Sequence, residues 1–110
     1  MPKQVKTWIV DFDSDAVIDF EDVKSRGDRK AVFNAMQKLK DLGPDLPSPH
    51  MKSLKGGADL FELRPKQGVC AVRPIYARLG ERFVVLAVAP KKKDFERAVM
   101  EATQRLNRHR

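Results

Sequence analysis

The sequence has one cysteine, Cys70, which excludes an intrachain disulfide. Clustered metal ligands are missing as well, since the two histidines, His50 in a proline-rich stretch and His109 near the C-terminus, have no neighbours at ligand spacing and read as ordinary surface residues. No run of about 18 apolar residues is present to span a bilayer. Met1-Pro2-Lys3 does not open a signal peptide either, because neither an apolar run nor a small-residue cleavage site follows. These absences predict a cytoplasmic protein without membrane association, metal or cofactor. The sequence also lacks a Gly-rich phosphate loop, an HExxH helix, a nucleophile elbow and the histidine pair of familiar ribonuclease chemistry.

Positive charge is abundant, and it is unevenly spread. The net charge is +7, yet positions 1–22 hold six acids (Asp11, Asp13, Asp15, Asp19, Glu21 and Asp22) against Lys3 and Lys6. Beyond them stand 20 basic and 9 acidic residues, a surplus of +11. Such a surplus attracts phosphate backbones by steering and counterion release. Nucleic acid therefore ranks ahead of an acidic protein partner, and the six acids should face away from RNA or cover the lysines when RNA is absent.

With 110 residues and 42% hydrophobic content, one core is expected, giving a single domain over 1–110. Val5 to Phe12 alternates as a short strand. Asp13 or Ser14 caps a helix with a ragged apolar face of Val17, Ile18, Phe20 and Val23. After a break at Lys24–Gly27, Asp28 caps a second helix with Val32, Ala35, Met36, Leu39 and Leu42 on one face, closed by Gly43. The prolines between Gly43 and Gly57 predict a surface loop without regular structure.

Three strand-like runs follow: Leu60–Arg64, Val69–Tyr76 and Phe83–Ala89. Their spacing, across Pro65–Gly68 and Leu79–Glu81, suits an antiparallel meander. The last run is continuously apolar and should lie inside the sheet, and Pro74 should mark a free edge or a bulge. Asp94 then caps a final helix with Phe95, Ala98, Val99, Ala102 and Leu106 inward, ending in a frayed tail from Arg105. The fold class is α+β.

Arg64 and Arg73 each interrupt an apolar strand face, so each needs an anionic partner. An ion pair with Glu62 or Asp59 would serve; so would a phosphate gripped bidentately in a groove, a geometry lysine cannot match. Lys91, Lys92 and Lys93 after the last strand, and Lys52 and Lys55 before the first, could flank the same sheet face. Tyr76 ends the middle run, where a tyrosine commonly packs its ring and exposes its hydroxyl.

The segment Lys52-Ser53-Leu54-Lys55-Gly56 before Leu60-Phe61-Glu62-Leu63-Arg64, then Arg73-Pro74-Ile75-Tyr76, then an apolar strand into Pro90-Lys91-Lys92-Lys93 and a helix, resembles the RelE/ParE toxin superfamily, most of all its phage-derived HigB-like branch. The resemblance implies a RelE-like fold: a first strand and two N-terminal helices, then a three-stranded antiparallel meander joining the first strand in one sheet, and a C-terminal helix. It implies a toxin that cuts ribosome-bound messenger RNA without metal, by attack of the ribose 2′-hydroxyl on the adjacent phosphate. A cognate helix-turn-helix antitoxin would neutralise it; some relatives poison DNA gyrase instead. Carried over, Arg64 and Arg73 clamp the phosphate and Lys92 or a neighbour moves a proton. Lys52, Lys55, Lys66, Lys91 and Lys93 bind RNA. The final helix has Phe95 and no tyrosine, so Tyr76 fills the tyrosine's role or the role is absent. The oligomeric state stays open.

Overall fold

The structure is a computed structural model and describes residues 7–54 and 59–110. Its elements are β1 (Ile9–Phe12), α1 (Ser14–Glu21), α2 (Arg26–Leu42), β2 (Met51–Ser53), β3 (Leu60–Leu63), β4 (Arg73–Leu79), β5 (Arg82–Ala89) and α3 (Phe95–Leu106). They build one five-stranded sheet in the order β1-β5-β4-β3-β2. The β3-β4-β5 meander is antiparallel as expected, and β1 joins its β5 edge in parallel.

The sheet separates two packed layers. Ala16 and Phe20 of α1 and Val32, Ala35, Met36 and Leu39 of α2 pack on one face, against Leu63, Tyr76, Phe83 and Val85. Ala98, Ala102 and Leu106 of α3 pack on the other, against Leu60, Ile75, Val84 and Leu86. β5 is buried on both faces, which explains its unbroken apolar run. Pro74 sits beside a register shift at Ile75/Tyr76, and β3 pairs with β4 only from Ile75 onward, so the missing N–H interrupts no ladder bond to β3.

Several local expectations need correction. Val17 and Ile18 are exposed, because Ala16 and Phe20 are the α1 residues that face the sheet. α2 is capped by Ser25, whose Oγ accepts from the Asp28 N–H at 3.2 Å, so the helix starts earlier than an Asp28 cap allows. The loop after Gly43 contains β2, held by pairing with β3 in the register Met51↔Leu63. Of the expected first strand, Val5 and Lys6 lie outside the described residues, as does the Gly56–Gly57 pair. Gly43 itself is required: its φ is +56°, and a Cβ there would collide with the Trp8 indole.

The C-terminal segment is anchored, not frayed. β1 covers β5 only as far as Val85, which leaves the next stretch of that strand edge without a ladder partner. Side chains take its place: Val88 N–H donates to Asp19 Oδ2 at 3.2 Å, and Arg105 donates to the Leu86 carbonyl at 2.9 Å. Arg105 also pairs with Asp19 at 2.7 Å and with Glu101 at 2.6 Å. Further along, Arg108 bridges Asp13 and Asp15, and His109 Nε2 lies 2.7 Å from Asp13 Oδ2. The acids of α1 therefore hold the tail of α3 instead of covering the lysines.

Burial alone would raise the Asp13 pKa, but hydrogen bonds from His109 and the Asp15 N–H, with the charge of Arg108, outweigh it and hold the carboxyl below its ordinary value. A depressed carboxyl stabilises the fold above its unfolded value, near 3.8, and that contribution is lost as pH falls through the folded value. Asp13→Asn is therefore expected to lower the melting temperature at pH 7 and to narrow its gap from the native protein as pH drops below about 4. A gap that stays constant down to pH 2 would contradict the linkage.

Candidate nucleic-acid interface

On the α3 side of the sheet, where β3 ends and β4 begins beside the first turn of α3, lies an open cleft of about 620 Å³. Arg64 enters it from just after β3 and Arg73 from the start of β4, Lys92 and Lys93 from the turn before α3, and Glu62 and Gly68 also line it. Phe95 and Glu96 form the helical wall.

The two arginines are held differently. Arg64 Nη1 pairs with Glu62 Oε1 at 2.8 Å, and Glu62 is buried. Arg73 pairs with no carboxylate among the described residues: its guanidinium donates to the carbonyls of Gly68 at 3.0 Å, Val72 at 3.0 Å and Cys70. Those bonds curl residues 68–72, so the middle strand starts at Arg73 and not at Val69, and Val69 projects into solvent at the rim. Cys70 is buried, with its Sγ 3.4 Å from Asp28 Oδ1 of α2. Burial lowers the pKa of Arg73 and the neighbouring Arg64 charge lowers it further, with Glu62 partly opposing. Its charge is thus incompletely neutralised, and an anion in the cleft would relieve both effects.

Gly68 links the pair. Its φ is +95°, its carbonyl accepts from Arg73, and a Cβ would come within 2.7 Å of Arg64 Nη2. A glycine is needed for the Arg64 guanidinium to lie over the turn.

The sequence-derived residues divide accordingly. Arg64, Arg73, Lys92 and Lys93 converge on the cleft. Lys52 stands in an adjoining groove that shares Phe95 and Glu96 with it. Lys66 turns away into a smaller pocket behind Arg64, Lys91 is exposed without lining the cleft, and Lys55 lies outside the described residues. Tyr76 must be removed from the set: it is 2% exposed in the α1/α2 core, stacked on Phe61 with ring centroids 5.4 Å apart. Desolvation raises its pKa far above the usual tyrosine value, which removes it from proton transfer. Sequence reading missed Glu96 as a wall residue and His50 as a neighbour of Arg64, whose N–H donates to the His50 carbonyl at 2.9 Å.

Four cationic side chains thus line one cleft on a RelE-like fold. A free-state structure of the Escherichia coli toxin RelE carrying a double arginine-to-alanine substitution aligns with 90% of this chain and 97% of that one, at a TM-score of 0.68 and 17% identity. No curated protein matches the chain. Residues 19–107 match the model of the phage-derived Gp49-like family, and the chain belongs to that family. Among the described residues, no helix is long and apolar enough to cross a membrane.

Proposed function

We propose that the protein is the toxin of a toxin–antitoxin pair and acts as a ribosome-dependent endoribonuclease on messenger RNA. The observation that carries this reading is the convergence of Arg64, Arg73, Lys92 and Lys93 on one open cleft. A phosphodiester gains negative charge as the 2′-oxygen adds to phosphorus, so fixed guanidinium groups stabilise the transition state more than the ground state. The 2′-hydroxyl gives up a proton and the departing 5′-oxygen takes one, leaving a cyclic phosphate and a 5′-hydroxyl end. Lys92 is the candidate proton carrier at the leaving oxygen, and the Glu96 carboxylate, four residues further on in the first turn of α3, is the candidate acceptor. On this reading a cognate helix-turn-helix antitoxin restrains the protein in the cytoplasm.

Among the described residues no histidine lines the cleft, and Tyr76 is buried elsewhere. That favours a second reading, a gyrase inhibitor or non-catalytic binding module on the same scaffold. Induction in a bacterial host distinguishes the two. Growth arrest with new 5′-hydroxyl ends inside translated transcripts is the expected result; arrest with intact transcripts and a DNA-damage response would establish the second.

A further inference from the structure

Arg64 lines two compartments. One is the cleft; behind the arginine, on the α2 side, lies a second of about 110 Å³ formed with Asn34, Lys38, His50 and Lys66. The residues come from three separate parts of the chain: α2, the segment before β2, and the turn after β3. Three of the side chains are cationic at neutral pH, and among the described residues only Arg64 of the three pairs with an acid, Glu62.

The backbone at Lys66 gives an independent sign. Lys66 and Gln67 have φ of 51° and 57°, left-handed values that a non-glycine residue adopts at a cost of about 1 kcal/mol each. Lys66 thereby lines the α2-side pocket and not the cleft. The turn is also fixed to α2, through the contact between Cys70 and Asp28, so the wall between the compartments has a defined position.

We propose that this pocket is a second phosphate subsite, which holds the backbone phosphate next to the one gripped in the cleft, with Arg64 as the shared wall. The subsite rests on the reading of the cleft as an RNA site. Lys38 and Lys66 supply charge, and Asn34 and His50 supply hydrogen bonds to phosphate or ribose oxygens. RNA would pass from the α3 side of the sheet to the α2 side around the end of β3.

The test uses the full chain and two uncleavable probes, a 2′-O-methyl single-stranded octanucleotide and a 2′-O-methyl dinucleoside monophosphate carrying one phosphate. Lys38→Ala combined with Lys66→Asn removes both charges, and asparagine tolerates the left-handed backbone. Octanucleotide binding should weaken about tenfold at 0.1 M salt and its salt slope should shrink by roughly 0.7, one phosphate contact's worth for a single strand. Dinucleoside binding should stay within about twofold of the native value, and Arg73→Ala should weaken both probes. If the double variant leaves octanucleotide affinity and slope unchanged while Arg73→Ala weakens both probes, the subsite is overturned and the cleft stands. Equal weakening of both probes by the double variant also overturns it, since the lysines would then act only as a diffuse field. If Arg73→Ala changes neither probe, the cleft reading fails and takes the subsite with it.

Discussion

Arg73→Ala is expected to reduce RNA cleavage by roughly 10²–10³-fold, the loss seen when one fixed donor to a developing oxyanion is removed. Arg73 also holds the carbonyls of Gly68, Cys70 and Val72, so alanine would loosen the cleft wall as well as remove the charge. Arg73→Lys separates the two roles. A lysine keeps the charge but cannot satisfy three carbonyls and a phosphate from one flat fork, so it should retain the fold and still lose most of the activity. Cleavage by purified Arg73→Lys at the native rate, with an unchanged melting temperature, would refute the clamp.

Asp19→Ala is expected to cost stability instead, by about 2–3 kcal/mol, somewhat less than breaking a fully buried ion pair costs because both side chains keep some exposure. The substitution removes one of the two carboxylates in direct contact with Arg105, leaving Glu101, and leaves the Val88 N–H without its acceptor. For a chain of this size the melting temperature should fall by roughly 10 °C or more. Dinucleoside binding in the cleft should not change at a temperature where the variant is folded. A melting temperature within about 2 °C of native would show that solvent already compensates the pair.

The sequence carried these outcomes unevenly, for physical reasons. α2 was legible because its apolar residues repeat at helical spacing, and Val32, Ala35, Met36 and Leu39 pack inward as that spacing requires, whereas Leu42, expected on the same face, is exposed in the last turn. β5 was legible because a strand buried on both faces has no polar position to interrupt it. β2 was not, since three residues among prolines carry no periodicity and form a strand only by pairing with β3. The anchoring of Arg105 by Asp19 was equally invisible, because 86 residues separate the partners and no local pattern reports them. For the site, Arg64 and Arg73 stood out as charges inside apolar strands. The misplacement of Tyr76 was avoidable: strand alternation puts it on the face opposite Arg73 and Ile75, as the two core layers show. The turn at Lys66–Gly68, which sends Lys66 away from the cleft, was not avoidable, because lysine and glutamine give no sequence signal of left-handed backbone.

The anchored tail gives α3 a division of labour along its length. Its first turn borders the cleft through Phe95 and Glu96, while its last turn is tied to α1 through Arg105. At 1.5 Å per residue, the twelve-residue helix separates these ends by roughly 18 Å. In a genetic selection for surviving hosts, damage at one end would leave an abundant but harmless protein, and damage at the other would leave little protein at all. Immunoblotting the survivors sorts the two groups, and harmless variants of normal abundance would outline the cleft without any prior choice of residues.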